Sequence, residues 1–256
     1  MFLFSYSEKN RLKKLIRPLA SKNPFLRLLT NLIEGDIYLH GGVVRDTYYQ
    51  KKINDIDIRI FCDYEQKEKD LKRITKLLKV RMIHYIREKI YDFDLLKVHL
   101  LDQKYDITIL DKNSFTSCKL NTDFRLHTVY INLKSFHIND SLHGLYDLKY
   151  KKLTTCDDPQ RIFSLYPENI LRGIKLCITH DLFFHQDILD NIDYINRQLN
   201  RFLNEITASK LQNNTRFMET VATIKKLKDS QNNLKDSCSY YISKKNISLM
   251  EDILKR

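Results

Sequence analysis

Asp55 and Asp57, in "NDIDIRIF", are the residues best placed to do chemistry. In an extended strand side chains repeat every two residues, so both carboxylates share one face while Ile56 and Ile58 enter the core beneath. Two like charges on one face repel unless a cation sits between them. Hard divalent ions such as Mg²⁺ or Mn²⁺ take carboxylate oxygens and keep room for phosphate and water. Asp106, in "YDITIL", is a third acid on another alternating segment. Three acids gathered on two metals about 3.5–4 Å apart would clamp the attacking and leaving oxygens of an in-line phosphoryl transfer. A D-x-D pair alone is weak evidence in a chain so rich in charge.

The glycines strengthen it. The chain has five, and two of them, Gly41 and Gly42, stand side by side shortly before the paired acids. They fall between the strand pattern "DIYLH" and a short helix opened by "VVRD", where missing side chains let backbone approach a ligand and exposed N–H groups meet phosphate. A tight turn would use the same glycines. Arg45 could reach a phosphate or pair with Asp46. His40 could face the phosphates or be a hydrogen-bonded residue at a strand end, and His127 could touch sugar or phosphate or simply pack.

These residues need a scaffold, and the hydrophobic pattern supplies one. Leu12, Leu15, Ile16 and Leu19 recur at helical spacing, and "NPFLRLLTNLIEG" opens a second helix with Asn23 as cap, Pro24 in its first position and Gly35 as stop. The period then changes to two in "DIYLH", "DIDIRIF", "LLKVHLL" and "YDITIL", which predicts strands. Leu71, Ile74, Leu77 and Leu78 predict an amphipathic helix between them. From about Ser141 the pattern turns helical: one helix through "ENILRGIKLCI" with Pro167 in its first turn, one marked by Ile188, Leu189, Ile192, Ile195, Leu199 and Leu203, and one by Phe217, Val221, Ile224 and Leu227. The expected fold is α+β, a mixed head over residues 1–140 followed by a helical region over 141–256.

With 256 residues, 43% of them hydrophobic, the chain is long enough for a core of this kind. Its formal charge of +12 favours a polyanionic partner, nucleic acid first. Part of that excess is local: Lys9, Arg11, Lys13, Lys14, Arg17, Lys22 and Arg27 face a single acid, Glu8, in the first thirty residues, and a solvated face would look the same. The five cysteines are scattered with no C-x-x-C pair, as reduced thiols of a cytoplasmic protein are. No apolar run approaches a membrane span, so no membrane partner is expected, and "MFLF" is too short for a signal-peptide core. Export by a route without an N-terminal signal stays open.

The stretch "GGVVRDTYYQKKINDIDI" resembles the signature of the bacterial-type poly(A) polymerase and CCA-adding tRNA nucleotidyltransferase family, a branch of the DNA polymerase beta-like nucleotidyltransferases. "YDITIL" is similar to that family's third-acid strand, with Asp106 where Glu is common. "SLHGLYDLKYKKLTTCDDPQRIF" is similar to its head-to-neck passage, and "ILRGIKLC" to the helix that follows. The resemblance implies a polymerase beta-like head with a helical neck. It also implies template-independent, metal-dependent transfer of nucleotide from ATP or CTP to an RNA 3′ end, as in tRNA processing and polyadenylation. Asp55, Asp57 and Asp106 would then be catalytic and hold Mg²⁺ or Mn²⁺, while Gly41, Gly42, Arg45, Asp123 and Arg172 would bind nucleotide.

The chain also departs from the pattern. Where the family has R-R-D-F-T-I-N, "NTDFRLH" keeps Asp123 and Phe124 but loses both arginines, and Arg125 and His127 replace Thr and Asn. The base-selecting E-D-x-x-R falls on Leu165, Tyr166 and Asn169 in one register, or on Glu168, Asn169 and Arg172 in another. Nucleotidylation of a protein or small molecule, and a non-catalytic RNA-binding protein on the same scaffold, are therefore the alternatives. Acceptor, nucleotide number and oligomeric state are not legible.

Overall fold

The computed structural model describes residues 2–90, 93–120 and 122–205; the helix expected around Phe217–Leu227, and Cys238, lie outside these. The chain divides into two compact units, residues 1–149 and a second beginning at Tyr150. The first is a mixed sheet with helices, as the pattern predicted.

Its seven strands are β1 (Asp36–Leu39), β2 (Asp55–Cys62), β3 (Tyr85–Ile90), β4 (Phe93–Leu100), β5 (Gln103–Asp111), β6 (Tyr130–Asn132) and β7 (Ile138–Asn139). They lie in the order β3-β4-β5-β2-β1-β6-β7, with β2 and β5 parallel and the other neighbours antiparallel. Strict alternation divides the sheet into two faces. Ile37, Leu39, Ile56, Ile58, Ile60, Leu96, Val98, Ile107 and Ile109 are fully buried on one of them. That face packs against α2 (Pro24–Leu32), α3 (Gly42–Tyr48) and α4 (Tyr64–Val80). Phe25 of α2 meets the ring of Tyr105 edge-on at 4.6 Å, and Asn23 donates to the Tyr105 hydroxyl at 2.8 Å. The opposite face carries the acids.

Local signals set the helix ends. The Asn23 side chain accepts the Leu26 amide at 3.0 Å and Pro24 follows in the first turn, as expected. The helix stops at Leu32, however, before Gly35. Gly35 is small for another reason: a β-carbon there would lie 2.9 Å from Cys62 Cβ. Before it, α1 (Phe2–Lys22) buries Leu12, Ile16 and Ala20 and turns its lysines and arginines outward. Buried Glu8 accepts from Tyr48 of α3 at 2.7 Å and pairs with Lys149 at 3.2 Å. Burial would raise the Glu8 pKa, but the bonds from Tyr48 and Lys149 outweigh it and hold it below its ordinary value.

Helix α5 (Phe115–Leu120) and helix α6 (Gly144–Tyr150) complete the first unit. A β-carbon on Gly144 would fall 2.3 Å from the Arg125 carbonyl oxygen, and Arg125 donates to the fully buried Asp147 at 3.1 Å. The first unit therefore takes in α6 as far as Lys149.

The second unit is built of α7 (Pro159–Leu165), α8 (Asn169–His180), α9 (Gln186–Leu189) and α10 (Ile192–Glu205). Asp158 caps α7 by accepting the Arg161 amide, with Pro159 in the first turn. Ile195, Leu199 and Leu203 form the buried stripe of α10. The unit is not wholly helical: β8 (Lys152–Leu153) and β9 (Phe183–Phe184) pair in parallel.

Candidate active site

The parallel register of β2 and β5 sets Asp57 directly beside Asp106, and Asp55 beside Lys104. Asp55 and Asp57 share a face because one residue separates them, and the buried isoleucines between them hold that face outward. Asp55 is exposed, and Asp57 and Asp106 are half-buried. Lys97 stands opposite Asp106 on β4, with its amine on Glu88 at 2.7 Å. Among the described residues no three His, Cys, Asp or Glu side chains stand close enough to grip a metal as they are. The donor set is nevertheless one for a hard cation: carboxylate oxygens on adjacent strands, like charges that stay adjacent at a cost.

The glycine pair closes the end of this face. Gly41 has φ +69, a left-handed conformation that favours glycine, and a β-carbon there would stand 2.9 Å from Asp57 Oδ2. Gly42 donates its amide to the same oxygen at 3.3 Å, and Gly41 donates to the His127 carbonyl oxygen at 3.3 Å. Both N–H groups expected to meet phosphate thus have protein partners. The glycines make room for Asp57 and orient it.

Behind the turn runs a buried polar chain. Arg45 grips Asp46 through two bonds, 2.8 and 3.0 Å, and its third nitrogen lies 3.0 Å from His127 Nε2. The other ring nitrogen of His127 lies 3.0 Å from Asp123 Oδ1. A guanidinium can only donate, so Nε2 accepts and the imidazole proton sits on Nδ1, pointed at Asp123. Of the residues expected to bind nucleotide, Arg45 and Asp123 therefore meet each other through His127. His127 itself is 2% exposed, so the structure places it in packing. His40 stacks on Tyr130, centroids 5.2 Å apart. Burial first, then the charge of Arg59, hold its pKa well below the ordinary value, so it stays neutral. Arg172 belongs to the second unit, exposed in the first turn of α8, where Glu168 is the capping residue. Leu165 and Tyr166 are exposed as well.

Two residues of this unit were not foreseen. Fully buried Asp70 on α4 accepts from the Glu34 and Gly35 amides, Gln66 and Arg73, and so ties α4 to the start of β1. Arg59 follows Asp57 on the acid-bearing face. Only the alternation of "DIDIRIF" could have signalled Arg59.

Residues 37–154 match the Poly A polymerase head domain family. Among curated proteins the chain is similar to poly(A) polymerase I of Haemophilus influenzae, 23% identical over 190 residues, 65% of this chain and 41% of that one. Among solved structures it is similar to the Thermotoga maritima CCA-adding enzyme complexed with tRNA, at TM-score 0.52 and 19% identity over 78% of this chain and 52% of that one. It is also similar to a CCA-adding enzyme in complex with ATP, at TM-score 0.54 and 18% identity over 80% and 54%. The chain spans about half the length of these structures or less than half of the curated relative, and at such identities the structures bear on the fold.

Proposed function

We propose that this chain is a metal-dependent nucleotidyltransferase that adds nucleotide from ATP or CTP to an RNA 3′ end. The observation that carries the proposal is the placement of Asp57 beside Asp106 on parallel strands, with Asp57 Oδ2 on the Gly42 amide, inside the segment that matches the head-domain family. The T. maritima relative complexed with tRNA, and the relative complexed with ATP, support RNA and nucleotide as partners.

Asp55, Asp57 and Asp106 would hold the divalent cations, which when bound supply charge neutralisation at the phosphates and activation of the attacking oxygen. In the reaction the 3′ oxygen forms a bond to the α-phosphorus, the bond from that phosphorus to the bridging oxygen breaks, pyrophosphate leaves, and the hydroxyl proton passes to water. The chain's task is positioning. Gly42 fixes the rotation of the Asp57 carboxylate, Gly41 leaves the space it occupies, and the Asp46–Arg45–His127–Asp123 chain stiffens the turn from behind. We place the reaction in the cytoplasm, consistent with Cys62, Cys118, Cys156 and Cys177 standing outside any disulfide; no helix among the described residues is long and apolar enough to cross a membrane.

A second reading, transfer to a protein, is favoured by one observation: Leu165 and Tyr166 stand where base-reading acids are expected, and both are exposed. One assay separates the two. Purified protein is incubated with Mg²⁺ and each labelled nucleoside triphosphate, with total RNA or a cell lysate as acceptor. Label in RNA, lost in Asp55→Ala, supports the proposal. Label in protein replaces it with the second reading, and no label, with RNA affinity unchanged in Asp55→Ala, replaces it with a non-catalytic RNA-binding role.

A further inference from the structure

Arg59 lies on the face of β2 that bears Asp55 and Asp57, one side-chain step of roughly 6.6–6.8 Å beyond Asp57. It sits between Thr108 on β5 and Tyr38 on β1. Half-buried, it donates to the hydroxyl of Tyr130, and its guanidinium carbon is 5.6 Å from the centre of that ring. No carboxylate among the described residues pairs with it. A second cation flanks the same ring: buried Lys119, its amine 5.5 Å from the Tyr130 centroid and bonded to the neutral side chains of Asn139 and Ser141. His40, stacked on Tyr130, contributes no charge to either.

The acid-bearing face is therefore bipolar. Asp55, Asp57 and Asp106 occupy one end, and a step away stand two cations: Arg59, bonded to a phenol alone, and Lys119, bonded to an amide and a hydroxyl and drawn by the charge of Asp140. A guanidinium has five donors in a planar fork, and one phenol oxygen uses few of them. Shielding such a charge from water without an anion is costly, while the fork matches the oxygens of a phosphate. Position narrows the choice of anion. Arg59 leans across β1 to reach Tyr130 on β6, away from β5 and Asp106. That lean brings it alongside His40, the residue that leads into Gly41. The vacant donors thus lie on the glycine-turn side of the acids.

We propose that Arg59 holds the terminal phosphates of the incoming nucleoside triphosphate and the pyrophosphate as it departs. This rests on the nucleotidyltransferase reading above. As the bond from the α-phosphorus breaks, negative charge grows on the leaving oxygen, and a guanidinium, protonated at every working pH, offsets it without giving up a proton. The Tyr130 hydroxyl holds the fork ready before substrate arrives, and Lys119 adds its field from beneath.

The test uses the full chain with Mg²⁺, a short RNA and labelled ATP, and compares wild type, Arg59→Gln and Arg59→Lys. It reads KM for ATP, KM for RNA and the inhibition constant of added pyrophosphate. Arg59→Gln is expected to raise both KM for ATP and the pyrophosphate inhibition constant about tenfold or more, with KM for RNA unchanged. Arg59→Lys should recover part of both. Unaltered pyrophosphate inhibition in an active Arg59→Gln protein overturns the inference and leaves the proposed reaction standing; so does a rise confined to KM for RNA, which would assign Arg59 to an acceptor phosphate. If wild type transfers nothing, the reaction fails, and equilibrium binding of Mg²⁺-pyrophosphate decides: loss in Arg59→Gln supports the subsite, equal binding overturns it. If Arg59→Gln does not fold, Tyr130→Phe replaces it. Without the hydroxyl that holds its fork in place, Arg59 should then bind pyrophosphate several-fold more weakly, and an unchanged inhibition constant would overturn the assignment.

Discussion

Asp57 Oδ2 accepts the Gly42 amide at 3.3 Å, and a β-carbon on Gly41 would stand 2.9 Å from that same oxygen. The turn and the acid are one unit. Gly41→Ala must therefore displace the carboxylate and also occupy φ +69, a strained backbone for alanine. We expect a loss of about 1–3 kcal/mol in stability and, because roughly 1 Å of misplacement can cost a hundredfold in rate, a fall of at least that size in nucleotide transfer. Gly42→Ala, whose β-carbon would meet Arg45 at 3.6 Å and Asp57 at 3.7 Å, should fold with little loss. Thermal melts and transfer assays on the two variants check the contrast.

Asp57→Asn and Asp106→Asn each keep side-chain shape and remove one of two adjacent charges. Transfer should fall by on the order of 10²–10³ or more, while the melting temperature holds or rises as repulsion is relieved. Active Asp106→Asn protein would remove Asp106 from the proposed acid set.

Asp70→Ala tests a residue far from the chemistry. It strips a fully buried carboxylate from two backbone amides, Gln66 and Arg73. Leaving those donors without their anion should cost about 3–5 kcal/mol in denaturant unfolding.

His127→Ala leaves buried Asp123 without its imidazole proton and Arg45 without an acceptor. A loss of about 1–3 kcal/mol is expected. Replacement by Gln, which can both donate and accept, should recover part of it.

Asp140 gives the fold a pH dependence. Burial pushes its carboxyl up to about 6 from an ordinary 3.8, despite the amides of Leu145 and Gly144 that bond to it. The folded chain thus holds this proton more tightly than the unfolded one. The cost of ionising it is absent below the unfolded value, grows as pH rises from about 4 to 6, and is complete above. Asp140→Asn should therefore be more stable than wild type at pH 7, by roughly 1–2 kcal/mol, and the gap should close toward pH 4.

The acid-bearing strands were legible because burial on one face writes a period of two into "DIDIRIF" and "YDITIL". β3 was not: its sequence "YIREKI" forms a largely solvated edge, so Arg87, Glu88 and Lys89 break the apolar alternation. Helix α5 is too short to show a helical period. Gly35 read as a helix stop because a glycine after a helix usually is one, whereas the close approach of Cys62 demanded it. The Arg45–His127 contact joins residues distant in sequence, and nothing local announces such a link.

The isoleucine side of β2 has a bearing on misfolding. A slip of one residue against β5 would drive Asp55, Asp57 and Arg59 under the helices and expel Ile56, Ile58 and Ile60 into water. No stable slipped isomer can then linger as an inert impostor: chains that acquire the apolar layer acquire the acids in working order with it, and the rest stay unfolded.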